Sequence, residues 1–120
     1  MYTLALRKKF IAHHKNTAES LLRSHLYLLE VMLEAEALDS LGMVVDLDAL
    51  DDAMDDVLAL YQDKNLNEAE AFADTLPTLE ALAKVLATAI DETLYAPNLT
   101  ALSVRLWRDE EAWALYDIEK

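Results

Sequence analysis

The stretch Glu19–Leu33 constrains the chain most, because it fits two periodicities at once and each gives a different protein. As a strand it would line one face with Arg23, His25, Tyr27, Leu29, Val31 and Leu33, an apolar run with a polar head. As a helix it would gather Leu22, Leu26, Leu29 and Leu33 into a stripe, and its Leu and Glu content favours that state intrinsically. Periodicity inside the stretch leaves both open. The remaining elements have to decide, and with them the role of His25.

Elsewhere the order of elements is easier to read. Residues 2–12 alternate Leu4, Leu6, Lys8 and Phe10 against Ala5, Arg7, Lys9 and Ile11, which predicts a strand running into His13 and His14. Asn16, Thr17 and Ser20 suit an irregular connection. The only glycine, Gly42, marks a turn after Leu38–Leu41 that needs a backbone freed from Cβ. Met43–Val45 is short and β-branched, and Asp46 sits where a helix N-cap belongs. Leu47, Leu50, Met54, Leu58 and Tyr61 then predict a helix over about 47–62. Its opposite side carries Asp48, Asp51, Asp52, Asp55 and Asp56; like charges one turn apart repel, so that side faces water. Carboxylates without loop geometry seldom hold a metal, so the acidic face reads as solvated.

Thr78, after Pro77, is placed to cap a second helix that ends near Tyr95, because Pro97 cannot continue it. Residues 99–107 alternate again, and the charged turn Arg108–Glu111 leads into residues 112–116 as the second strand of a hairpin. A terminal hairpin needs further strands and a cover to be stable. If residues 23–36 pair with residues 2–12, two hairpins make a four-stranded antiparallel sheet with both helices on one face, and every element has a partner. As a helix, the same residues leave the first strand alone. Consistency across elements therefore overrides propensity, and residues 1–120 are expected to form one α+β domain.

Composition sets outer bounds. A chain of 120 residues that is 54% apolar can bury one core and is not disordered. It has neither an apolar run of about 18 residues nor a secretory-type N-terminus, so a soluble, cytoplasmic protein without membrane contact is expected. With no cysteine, any metal site must use histidine and carboxylate. A net charge of −13 disfavours nucleic acid as a partner. Residues 1–25 nevertheless carry Arg7, Lys8, Lys9, Lys15 and Arg23 against Glu19 alone. That basic end suits an anionic small molecule or an acidic neighbouring subunit, while the acidic remainder serves solubility or a salt-rich cytoplasm.

Several ordered motifs carry a family resemblance. Phe10–His14, Arg23–Tyr27, Gly42–Leu47, Lys64–Asn67, Pro77–Ala83, Val104–Trp107 and Trp113–Tyr116 together resemble the 6-pyruvoyltetrahydropterin synthase and 6-carboxytetrahydropterin synthase family across nearly the whole chain. Each piece is modest, but their order and spacing are specific. The resemblance implies the T-fold (ββααββ), with subunit sheets joined edge to edge into barrels, commonly hexamers, and sites at subunit interfaces.

It also implies a zinc site of three histidines, one after the first strand and two as His-x-His on the second. His14 matches the first position and His25 the last, while Arg23 occupies the middle one. Alternation puts residues 23 and 25 on one face, so a permanent cation stands where a ligand should be, and His13 points the other way. The family's catalytic cysteine falls on Glu19. Its Asp-His pair for proton transfer falls on Gln62 and Asp63, and the glutamate that anchors the pterin falls on Arg108, which cannot accept the pterin's donor hydrogens. Loss of metal ligand, acid–base group and anchor together is hard to reconcile with the parent reaction.

Two readings follow. In one, the protein is catalytically degenerate and binds no zinc: Arg23 pairs with Glu19 or Asp63, and His14 and His25 join a polar cluster that ties the strands. In the other, a rebuilt site works. Glu19 or Asp63 adds an oxygen ligand beside His14 and His25, or Arg23 and Arg108 bind an anionic or pterin-like ligand.

Overall fold

The computed structural model describes residues 1–15 and 21–120. The irregular connection expected over Asn16, Thr17 and Ser20, and the position of Glu19, lie outside them. The ambiguous stretch is a strand. β1 (Tyr2–His14) pairs antiparallel with β2 (Arg23–Ala35) from Tyr2↔Ala35 through His14↔Arg23. β3 (Ala101–Arg108) lies on the far side of β2, and β4 (Ala112–Glu119) closes a sheet of order β1-β2-β3-β4.

Burial shows why pairing overrides helix propensity. Tyr27, Leu29, Val31, Leu33 and Ala35 are all sealed, meeting Phe10 and Ala12 of β1 and Leu102, Val104 and Leu106 of β3 in one core. A helical stripe over the same residues would instead have buried Leu22 and Leu26, which are exposed. Period two therefore places more apolar surface out of water than period 3.6.

Two helices cover this face. α1 (Leu47–Leu58) packs on β1 and on α2 (Leu79–Thr93), and α2 packs on β3 and β4. Asp46 caps α1 through Asp48 N–H, and the Thr78 hydroxyl accepts from Ala81 N–H at 3.1 Å. α1 is shorter than the expected 47–62. After Val57 the chain tightens into i→i+3 bonds, and Asp63 reverses it with φ +59°, so Tyr61 is buried from a turn rather than a helix. α2 likewise stops at Thr93, with Leu94 extended and Tyr95 exposed. Gly42 takes φ +81° in a turn pinned by Asp39, whose carboxylate accepts from Leu41 and Met43.

The opposite face of the sheet carries one buried charge. Glu30 lies between Arg7 and Arg105 in strand register; Arg7 Nε donates to it at 2.6 Å, and Arg105 Nη1 stands 3.7 Å away. The acidic side of α1 is solvated as expected, with one exception. Lys8 reaches from β1 to both Asp51 (2.5 Å) and Asp55 (2.9 Å), and these hydrogen bonds raise its pKa.

Candidate functional site

The hairpin pairing brings the last residues of β1 beside the first of β2, on the face toward the helices. His14 is buried and its ring stacks on His25, with centroids 4.9 Å apart. His25 in turn meets Tyr27 edge-on at 6.1 Å, and Tyr27 stacks on Phe10 at 5.0 Å. Four rings from two strands thus form a column. Burial pushes the Tyr27 phenol up to about 12, with Arg108 opposing and Asp109 adding to the shift.

Asp109 is a site residue that sequence reasoning missed. Its carboxylate meets His25 Nδ1 at 2.5 Å and accepts from Leu26 N–H at 3.0 Å, while its own N–H donates to Leu26 O at 2.8 Å. Burial disfavours the charged carboxylate, but the bonds from His25 and Leu26, with the charges of His25 and Arg108, prevail and hold its pKa below the ordinary value. The turn explains how it gets there. Glu111 N–H bonds back to Arg108 O, and the two central residues, Asp109 and Glu110, both have left-handed φ, +53° and +65°. Positive φ at two successive positions is a conformation that ordinarily favours Asn or Gly, and here Asp and Glu adopt it in the three-residue connection between Arg108 and Ala112. The signal lay in the sequence as an aspartate at the first central position of a tight turn, but nothing local points that carboxylate at residue 25.

Arg23 stands directly across the ladder from His14 and is exposed. Among the described residues it forms no ion pair, and Asp63 accepts instead from Gln62 Nε2 at 3.1 Å. Gln62 and Asp63 are fastened to β1: Ile11 N–H donates to the Gln62 side chain, and Asp63 N–H donates to Ile11 O. Gln62 lines a shallow cleft with Lys8, Lys9 and Asp55, away from His14. His13 turns from its neighbour as alternation requires and meets the Ser24 hydroxyl at 2.6 Å.

His14 and Arg108 do share a cleft. It measures about 510 Å³ and lies between the end of β1, the start of α2 and the β3–β4 turn. Lys15, held by paired bonds between its backbone and the Asn67 amide, joins them there, opposite Leu76, Pro77 and Trp113. A zinc ion does not suit this donor set. Two stacked histidines are followed by a guanidinium in place of the third ligand, and among the described residues no three His, Asp or Glu side chains are grouped to hold a metal.

Four antiparallel strands under two helices, in ββααββ order and with a histidine on each of two adjoining strands, define a class, the T-fold proteins. A family model for 6-pyruvoyl tetrahydropterin synthase matches residues 5–119, and the chain belongs to that family. Solved structures agree on the fold. The Caenorhabditis elegans 6-pyruvoyl tetrahydropterin synthase superposes with a TM-score of 0.77 at 22% identity, covering 99% of this chain and 95% of that one. A catalytic-residue mutant of the Plasmodium vivax enzyme, with glutamate replaced by alanine, gives 0.83 at 12% identity over 99% and 98%. The Plasmodium falciparum enzyme gives 0.81 at 10% over 99% and 98%. Comparison with curated proteins returns no match.

Proposed function

We propose that this protein is a catalytically degenerate member of the 6-pyruvoyl tetrahydropterin synthase family, without zinc-dependent pterin lyase activity. One observation carries the reading. At the position where the family resemblance implies the middle zinc ligand stands Arg23, a permanent cation directly across from His14. The two remaining histidines stack on each other, and Asp109 clamps the second, so ring contact and a charge-assisted hydrogen bond do the strand-tying that a metal would do. Arg108 in place of a pterin-anchoring glutamate supports the same conclusion.

Zinc content and turnover test it. Protein purified without chelator and then dialysed is expected to hold far less than one zinc per subunit and to leave 7,8-dihydroneopterin triphosphate unchanged. Stoichiometric zinc together with turnover would overturn the reading.

A second reading has one observation in its favour. The Plasmodium vivax enzyme has a catalytic glutamate, replaced by alanine in one solved form and by cysteine in another. In this chain Glu19 falls where the resemblance implies a cysteine, so in an active protein Glu19 is the residue to bear acid–base chemistry. Turnover that disappears in Glu19→Ala would establish it.

We also expect a cytoplasmic homo-oligomer, a hexamer by resemblance. No described helix is long and apolar enough to cross a membrane. β1 and β4 each have one edge open, and Ile11, Leu26, Leu115 and Trp113 are exposed on the face away from the helices. Light scattering on the purified chain checks this, and a monomer at micromolar concentration would refute it.

A further inference from the structure

We infer that the groove at the Tyr2 end of the sheet docks a basic amphipathic segment of another protein, whose apolar side chains enter the groove while its Lys or Arg side chains lie on an acidic rim. The groove stands between the start of β1, the loop over residues 38–45 and the first residue of α1, and measures about 350 Å³. Tyr2, Leu4, Leu38, Met43, Val45 and Leu47 line it. The whole length of β1, about 40 Å, separates it from His14, so this surface is distinct from the histidine column.

Its first support is apolar surface held out on a fixed loop. Tyr2, Leu38 and Leu47 are exposed where they line the groove, and Leu41 in the adjoining turn is 78% exposed. Backbone and side-chain bonds fasten that loop. The Asp39 carboxylate accepts from Leu41 and Met43 N–H, and Asp39 N–H donates to Met43 O at 2.8 Å. From the connection before β3, the Asn98 amide donates to both Ala37 O and Val44 O. A loop fastened on both sides loses little freedom when a partner covers it, and contiguous exposed apolar surface is what such partners cover.

Charge is the second support, and it selects the occupant. Residues 26–63 contain no Lys, Arg or His. Glu36, Asp39, Asp46 and Asp48 flank the groove-lining segments in sequence, are exposed, and form no ion pair among the described residues. Lys120, at the same end of the sheet, is held by Asp91, and the Met1 ammonium offsets one negative charge at most. A second copy presenting the same patch would set these carboxylates against each other, and an anionic lipid surface or a nucleic acid would be repelled likewise. A cationic segment meets no such penalty.

Fluorescence anisotropy tests this with a labelled synthetic peptide of Leu and Lys, carrying Leu at i, i+3, i+4 and i+7, beside a peptide of the same composition in scrambled order. The full chain is expected to bind the amphipathic peptide at least ~10-fold more tightly than the scrambled one. Leu41→Ser is expected to lose at least ~5-fold of that affinity, with melting temperature and subunit number unchanged. Glu36→Gln with Asp48→Asn is expected to weaken binding at least ~3-fold more than Asp52→Asn with Asp56→Asn, which removes the same charge from the exposed side of α1. Equal binding of the two peptides, undiminished binding by Leu41→Ser, or equal losses from the two charge pairs overturns the inference. So does a changed subunit number in Leu41→Ser, which would make the groove a contact between copies, or cosedimentation of the chain with phosphatidylserine vesicles, which would make it a lipid-binding surface.

Discussion

The middle of β2 and its first three residues belong to one strand and follow opposite rules. From Tyr27 to Leu33 every helix-facing side chain is apolar and sealed, and the family's fold persists in solved relatives only 10–22% identical to this chain. From Arg23 to His25 the same face is polar, and there the residues depart from those the family resemblance implies. The difference follows from what each part must satisfy. A core position asks only for apolar volume, which many sequences supply. A metal position asks for a lone pair at one point, and a guanidinium has none to offer.

The comparison can be attacked from the strand's centre outward. Leu33→Ala removes a fully buried side chain and is expected to cost about 2–5 kcal/mol in denaturant unfolding, whereas a cost under ~1 kcal/mol would show the centre to be as permissive as the strand's start. Glu30→Ala, on the other face, strips Arg7 and Arg105 of their shared carboxylate. Because Arg7 is largely exposed the expected loss is smaller, about 1–2 kcal/mol, and it should shrink as salt is added.

Asp109→Asn probes the clamp at the strand's polar end. The folded carboxyl titrates below the ordinary aspartate value of 3.8, so its stabilisation is complete above about pH 4 and disappears as pH falls through the lowered value. Its side chain is 44% exposed, so screening keeps the effect under ~1 kcal/mol. The parent should therefore lose more stability than Asp109→Asn between pH 5 and pH 3, and parallel acid unfolding curves would remove Asp109 from the account. Arg23→His is expected to change stability least, since residue 23 is exposed, yet to raise zinc affinity by restoring a third imidazole. Equal zinc binding in parent and variant would mean that Arg23 is not what excludes the metal.

Much of this was legible in the chain because it depends on period and order. The sheet, both caps and the Gly42 turn follow from alternation, from Asp46 and Thr78, and from the one residue lacking Cβ. The end of α1 was not legible: Tyr61 falls on the helical period by coincidence of spacing and is buried from a turn instead. At the site, the stacked histidines follow from strand register, but Asp109 reaches His25 across 84 positions through a turn whose handedness no local pattern announces. In the sequence Lys15 is only part of a basic end, and the cleft it shares with Arg108 depends on how α2 seats on the sheet.

The grip of Lys8 on Asp51 and Asp55 changes what the uneven charge of this chain means. Part of the cationic surplus near the N-terminus is consumed inside the molecule, as a rivet between a strand and the helix laid over it. Seen from outside, the protein is less polarised end to end than its linear charge pattern suggests. An approaching anion is met by isolated basic points against a repulsive background, which rewards a close geometric fit over long-range attraction.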